Sequence, residues 1–291
     1  MPELPEVETT AALVRPHVTG RRILGVRVGW ERSLGGPSVA EFEAAVVGAT
    51  IARVGRRAKW VRIDLERGDE AAGALLVHLR MTGRLVVDSE PGPAPYERVG
   101  LELEGEGGEA STLRFLDVRK FGRFKFTDAP EAALADLGPE PLGDSFTRDW
   151  FRGELRRRKR ALKPLLLDQT FLAGLGNIYV DESLHEAGLH PLKRSDRVDR
   201  ARAERLHGAI QRTLREAIER EGSSFDAFYR TPEGNPGSYQ HLFRVYGRDG
   251  KPCGTCGRTI RKIVVGQRGT HLCTRCQPAP RGGSSQATPA R

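Results

Sequence analysis

The residues most capable of chemistry stand at the two ends of this chain. It opens MPELPEVETT, which sets Pro2 directly behind the initiator methionine and places three carboxylates, Glu3, Glu6 and Glu8, in the next six positions. With Met1 removed, Pro2 presents a secondary amine. A free α-amine titrates near roughly 8, far below a lysine, so a useful fraction is unprotonated and nucleophilic at neutral pH. Neighbouring carboxylates supply groups for proton transfer. The same residues also read as a capped helix start: Pro5 suits a first turn, acidic groups favour a helix N-terminus, and Val7, Ala11 and Val14 follow at helical spacing. The two readings are compatible.

Near the other end, Cys253-Gly-Thr-Cys256 and Cys273-Thr-Arg-Cys276 are separated by sixteen residues, and the chain has no other cysteine. Two thiolate knuckles at this spacing close a tetrahedral zinc site, whereas a secreted disulfide scaffold would scatter its cysteines. Four thiolates leave no open position for water, so the metal is structural. His271 reads as a strand-surface residue, not a ligand. TIRKIVV and THLC are two strands, joined by Gly266-Gln267-Arg268-Gly269 as a hairpin turn, so the metal stiffens an arm on which Arg268 is either a phosphate contact, the favoured reading, or a solvated turn arginine.

The elements that position these groups fall in order along the chain. From about residue 20 to 128, short apolar or alternating runs such as ATIARVGRRAKWVRIDLE and ALLVHLRMTGRLVV are divided by glycine-rich turns, which predicts an antiparallel sandwich or barrel. LGPEPLG is a linker. Helical signals then dominate to about residue 222: Leu206, Ile210, Leu214 and Ile218 recur every four residues and Gly222 stops the helix. In LAGLGNIYVDESLHEAG, Gly174 and Gly176 free a turn, Asn177 is the expected N-cap, and a helix N-terminus there suits a phosphate. ELRRRKRALK concentrates Arg156 to Arg158, Lys159, Arg160 and Lys163, either as a solvated helix face or as a phosphate-contact surface.

The 291 residues are 38% hydrophobic, enough for real cores, and carry a net charge of +9, which points to a polyanionic partner. No apolar run reaches membrane-spanning length and no secretory signal is evident, so the expected location is cytoplasmic.

Taken together, PELPEVET, RRAKW, HLRMTG, DVRKFG, LGPEPL, GLGNIYVDESL, VYGRDGKPC and QRGTHLCTRCQ resemble the bacterial formamidopyrimidine-DNA glycosylase (8-oxoguanine DNA glycosylase) family, in order from Pro2 to Gln277. The resemblance implies an α+β multidomain protein: an N-terminal antiparallel β-sandwich over 2–130, a helix-two-turn-helix domain over 145–235 and a four-cysteine zinc finger hairpin over 243–277. Residues 278–291 read as a disordered tail. It implies a monomeric bifunctional enzyme of bacterial base excision repair, with one structural Zn2+ and no organic cofactor. Its partner is double-stranded DNA with damaged bases. Oxidised purines are excised through a Schiff base on the proline amine, followed by β,δ-elimination.

The residues carried over are these. Pro2 matches the nucleophile, Glu3 the general acid for the departing base, and Glu6 a further carboxylate orienting groups around the sugar. Lys59 matches the proton donor in β-elimination and Arg268 the finger arginine assigned to δ-elimination. Lys159 and Asn177 match phosphate-contacting positions, with Lys163 a neighbouring candidate, and His78 lies in the matching HLRMTG. Because the damaged base must leave the stack, something fills its place. Met81, Arg119 and Phe121 match the inserted triad, although apolar Met81 and Phe121 taken alone would read as core residues.

Three places depart from the family pattern. The arginine loop reads Asp117-Val118-Arg119-Lys120 where the family often has Pro-Arg, with the Arg-x-Phe core intact. Tyr96 in PYERV stands where many members carry a DNA-contacting histidine, and Asp226 stands where some carry a basic residue. Two rival readings are an endonuclease VIII-like enzyme for oxidised pyrimidines, against which Leu4 in PELPE speaks, and a non-catalytic zinc-finger lesion sensor, which would not need Pro2, Glu3 and Lys59.

Overall fold

The structure is a computed structural model that describes residues 1–105, 110–224, 229–280 and 288–289. The chain divides into two compact units, one of Met1–Asp136 with Arg220–Ser238, the other of Leu137–Glu219 with Tyr239–Arg291.

The first unit runs α1 (Leu4–Val18), β1 (Ile23–Val28), α2 (Val39–Val46), β2 (Thr50–Arg57), β3 (Trp60–Arg67), β4 (Glu70–His78), β5 (Gly83–Asp88), β6 (Glu97–Leu103), β7 (Ser111–Asp117), β8 (Arg123–Thr127) and α3 (Pro130–Ala133). The strands form two four-stranded antiparallel sheets, ordered β1-β6-β7-β5 and β2-β3-β4-β8. Alternation in the sequence is the cause. In β3, Val61, Ile63 and Leu65 are buried while their neighbours are only partly so. They share one core with Leu101, Leu113 and Phe115 of the other sheet and with Val7, Ala11, Val14 and Val18 of α1. The sandwich expectation holds, with α1 packed into the same core.

Residues 220–238 belong to this first unit by their contacts, although the sequence grouped residues up to 235 with the helices. Gly222 explains the difference. Its φ is +76°, and a Cβ there would meet the Glu6 side chain at 2.8 Å. The turn therefore lets the Ser223 N–H donate to Glu6 Oε1 at 2.7 Å, holding the segment against α1.

The second unit contains α4 (Arg148–Arg158), α5 (Leu162–Leu166), α6 (Asn177–Glu186), α7 (Arg200–Glu219), β9 (Arg261–Val265), β10 (Arg268–Leu272) and β11 (Thr288–Pro289). The expected long helix is α7, whose buried Leu206, Ile210 and Leu214 form one face. Two adjacent carboxylates in the buried helix α6 hold the cysteine module. Glu182 accepts from the N–H groups of Arg244, Val245 and Tyr246 at 2.8, 2.9 and 2.8 Å, and Asp181 accepts from that of His271 at 2.8 Å. The backbone of Thr288–Pro289 pairs with β9; most of the tail expected to be disordered, and Asp226, lie outside the described residues.

Candidate active site and nucleic-acid interface

The three N-terminal carboxylates have three different surroundings. Pro2 is buried beneath an exposed Met1. While Met1 is attached, the proline nitrogen is a tertiary amide without a basic lone pair, so amine chemistry requires its removal. Glu3, 3% exposed, is the N-cap of α1. Its backbone N–H donates to Glu6 Oε2 at 2.8 Å. Glu6 is thus committed at both oxygens to backbone donors, Glu3 and Ser223, and acts as a scaffold for its neighbour. Glu8 Oε2 accepts from Arg56 Nε at 2.9 Å, and the same guanidinium donates through Nη1 to the Ala58 carbonyl at 3.0 Å.

Arg56 therefore ties α1 to the two-residue turn that carries Lys59. Arg57 pairs with Trp60, leaving only Ala58 and Lys59 in the turn. Ala58 has φ +53°, a region where hairpins favour glycine. Lys59 is buried, 7% exposed. Sequence reading missed Arg56 because its partners are 48 residues away and two residues away, in different elements.

His78 ends β4 opposite Trp60, with the rings edge-to-face at 4.8 Å. Burial, reinforced by the cations of Arg80 and Lys59, pulls its imidazole down to about 3. The Arg80 N–H donates to Nδ1 at 3.1 Å, which leaves Nε2 as the protonated, donating nitrogen. Because the folded value lies below the ordinary 6.5, the unfolded chain binds the proton first. Stability contributed by this site is present above about 6.5 and is lost as pH falls towards 3. The His78 ring resonances are expected not to titrate between about pH 5 and 8; an NMR midpoint near the ordinary value would contradict the buried neutral state.

Met81 is half-buried in the turn between β4 and β5; Arg119 and Phe121 are exposed in the loop between β7 and β8. Phe121 is 50% exposed, so the core alternative fails for it. The Arg119 guanidinium lies 4.9 Å from the Phe121 ring centroid. Tyr96 is 58% exposed at φ +63°, and its carbonyl accepts from the Asp117 N–H at 3.0 Å. The buried Arg114, paired with Asp88 and Glu97 and bonded to the carbonyls of Glu90 and Gly92, fixes the loop that presents it.

In the second unit the basic run separates into different environments. Arg157 and Arg158 pair with Glu154, and Arg160 with Asp168. Lys159 is exposed at the left-handed C-cap of α4. Lys163 does not face a phosphate. It is fully buried, donating to Asp181 Oδ1 at 2.7 Å and to the Gly269 carbonyl at 3.1 Å, so it braces β10 and offers nothing to a phosphate. Lys163→Met leaves Asp181 buried without its cation and is expected to cost about 3–5 kcal/mol in denaturant unfolding. An unfolding midpoint equal to that of the parent protein would contradict this.

Asn177 is the first residue of α6, and the N-cap is Gly176. The asparagine side chain is used elsewhere: Nδ2 donates to the Gly269 carbonyl at 3.0 Å. Its Oδ1 is buried and has no hydrogen-bond partner among the described residues. The hairpin turn is shorter than expected, Gly266 and Gln267 with φ +55° and +62°, as a two-residue primed turn demands. Arg268 is consequently the exposed first residue of β10, paired with Val265. His271 is buried against Tyr246, not on the strand surface.

The four cysteine Sγ atoms lie within 4.8 Å of one another. Cys253 and Cys276 are 3.9 Å apart, Cys256 and Cys273 3.4 Å. Sulfurs at about 2.3 Å from a tetrahedral zinc stand about 3.8 Å apart, so this set fits the metal.

Three family models match the chain: the formamidopyrimidine-DNA glycosylase N-terminal domain over residues 1–124, the formamidopyrimidine-DNA glycosylase H2TH domain over 137–228, and a zinc finger found in FPG and IleRS over 250–279. Formamidopyrimidine-DNA glycosylase of Symbiobacterium thermophilum is 42% identical over 97% of this chain and 91% of its own length. That of Chloroflexus aggregans is 44% identical over 95% and 98%. Among solved structures, Lactococcus lactis Fpg with an N7-benzyl-Fapy-dG-containing DNA superposes with a TM-score of 0.84 at 34% identity, covering 96% of this chain and 100% of that one. Fpg of Thermus thermophilus superposes with a TM-score of 0.82 at 40% identity, covering 95% and 98%.

Proposed function

Because this chain belongs to the formamidopyrimidine-DNA glycosylase family, we propose that Pro2, Glu3 and Lys59 carry its reaction at a damaged nucleotide. The chain is a DNA glycosylase of base excision repair with abasic-site lyase activity, and relatives have been solved with Fapy-dG and abasic-site DNA. In the proposed sequence, the Pro2 lone pair bonds to C1′ while the glycosidic bond breaks and Glu3 delivers a proton to the departing base. The proton left on the proline nitrogen passes to O4′ as the C1′–O4′ bond breaks and the sugar opens, giving an iminium whose fixed positive charge acidifies the C2′ hydrogen. Loss of that proton expels the 3′ phosphate, with Lys59 the proton donor for this elimination. Arg268 serves the later 5′ elimination. His78, Tyr96, Lys159, Asn177 and Arg268 are assigned to the DNA, and Met81, Arg119 and Phe121 to the gap left by the displaced base. Four cysteines supply the zinc site, which stiffens the β9–β10 hairpin.

The observation that carries the reading is the pairing of a second-position proline with a buried glutamate whose backbone Glu6 pins in place. Among the described residues no helix is long and apolar enough to cross a membrane. A monomeric enzyme of the bacterial cytoplasm is part of the proposal. Incubation with borohydride and duplexes bearing 8-oxoguanine or thymine glycol tests it. Preferential trapping on 8-oxoguanine is expected; preference for thymine glycol overturns the purine assignment, and no adduct with either favours a sensor.

A further inference from the structure

The arginine loop and the methionine turn are bound together by a buried side chain with no part in the chemistry described above. Asp117 ends β7 and is 1% exposed. Its Oδ1 accepts from the Thr82 hydroxyl and from the Arg119 N–H at 3.3 Å, and its Oδ2 accepts from the Gly122 N–H at 2.7 Å. The Arg119 N–H also points to Thr82 Oγ1 at 3.2 Å. Thr82 directly follows Met81, and Gly122 directly follows Phe121. One carboxylate thus grips both ends of the Arg119–Phe121 loop and the residue beside the methionine. Sheet register places them side by side, since Gly83 of β5 pairs with Asp117 of β7.

Three further features show that the arrangement is built. Arg80 and Lys120 hold φ +53° and +58°, left-handed values that cost roughly 1–3 kcal/mol each for side chains with a Cβ. Gly122 admits no side chain, because a Cβ would meet the Phe115 ring at 2.3 Å. The Lys120 ammonium stacks 4.2 Å from the Trp30 ring centroid, turning that side chain away from the tip. The backbone is strained, close-fitting and anchored. Yet Val118 and Phe121 at its tip are 56% and 50% exposed, so the anchoring serves a surface that folding alone leaves uncovered.

We propose that Asp117 is the positioning residue that makes the Met81 turn and the Arg119–Phe121 loop enter a duplex as one rigid wedge. This rests on the assignment of those three side chains to the vacated base position. With the carboxylate in place, the apolar wedges and the arginine that meets the orphaned base keep a fixed spacing, so displacement of the base and reading of its partner are coupled. Without it, the two turns move independently.

The test uses the full-length zinc-loaded protein, a lesion duplex with 2-aminopurine beside the lesion, and stopped-flow fluorescence. Asp117→Asn removes the negative charge, leaves one neutral acceptor and puts a donor in place of the other, and keeps the shape. Thr82→Val removes the hydroxyl at constant volume, whereas Thr82→Ser retains it. Asp117→Asn and Thr82→Val are expected to slow the unstacking phase about tenfold, the scale set by a hydrogen bond to a charged group. Both should also narrow the preference between cytosine and adenine opposite the lesion. Thr82→Ser should restore most of both properties. Cleavage of a preformed abasic site, where no base need be displaced, should fall much less. Met81→Ala serves as the reference for the wedge itself.

If Met81→Ala slows unstacking while Asp117→Asn and Thr82→Val do not, the coupling role is wrong and the wedge stands. If Met81→Ala has no effect, the wedge assignment fails and the inference fails with it. Equal losses on lesion and abasic duplexes would mark Asp117 as merely structural and overturn the proposal. Should Asp117→Asn not fold by circular dichroism, the Thr82 pair decides the same question.

Discussion

Glu3→Gln is expected to lower excision of an oxidised purine by about 10²–10⁴-fold while leaving much of the strand cleavage at a preformed abasic site. The glutamine matches the shape of the glutamate and leaves its backbone N–H bonded to Glu6 at 2.8 Å, so the start of α1 keeps its form. What disappears is a transferable proton. A departing purine anion needs that proton; an abasic site has no base to expel, and Pro2 can condense with its aldehyde directly. Single-turnover rates on both substrates measure the split. Equal losses would mean that Glu3 holds the site together without acting as the acid.

Zinc removal, or Cys273→Ser, is expected to abolish the fold of the hairpin that carries Arg268. The buried hydrophobic cluster there consists of Val245, Cys253, Ile260 and Cys273, far too little apolar area to order a segment of this length. The metal must supply the rest, and in isolated zinc-finger peptides it contributes about 10–16 kcal/mol. Asp181 and Glu182 still hold the flanking backbone, but a flexible Arg268 no longer meets a phosphate in a fixed direction. Affinity for an abasic-site duplex should fall at least about tenfold, while the circular-dichroism signal of the two sheets persists. Unchanged anisotropy binding and an intact, protease-resistant hairpin in the metal-free protein would contradict this.

The features visible in the sequence are those with a local period or spacing. The two cysteine knuckles, the alternation of β3 and the four-residue repeat of α7 all appear where the residue order places them. What escaped is set by partners distant in the chain. Lys163 belongs to a run of cations, and nothing in the run reveals that Asp181 takes it into the interior. Its signal was the Asp181-Glu182 pair set among Ile178, Tyr179, Val180 and Leu184, since acids taken into the interior need donors. Arg56 and Asp117 look like ordinary strand residues until the packing of α1 brings Glu8 to one and the sheet register brings Thr82 to the other. Backbone strain was equally hidden. Ala58, Arg80, Tyr96, Lys120, Lys159 and Gln267 all have positive φ, none is glycine, and each is or adjoins a residue assigned to chemistry or DNA. No propensity rule anticipates that choice.

The central claim is that the nitrogen of Pro2 forms the covalent bond to deoxyribose. Borohydride trapping of the mature protein on an 8-oxoguanine duplex, followed by proteolysis and mass spectrometry, reads the attachment site directly. The adduct is expected on a peptide that begins at Pro2, with Met1 absent and the sugar remnant on the proline nitrogen. An adduct on Lys59, or full activity from protein that retains Met1, would contradict it.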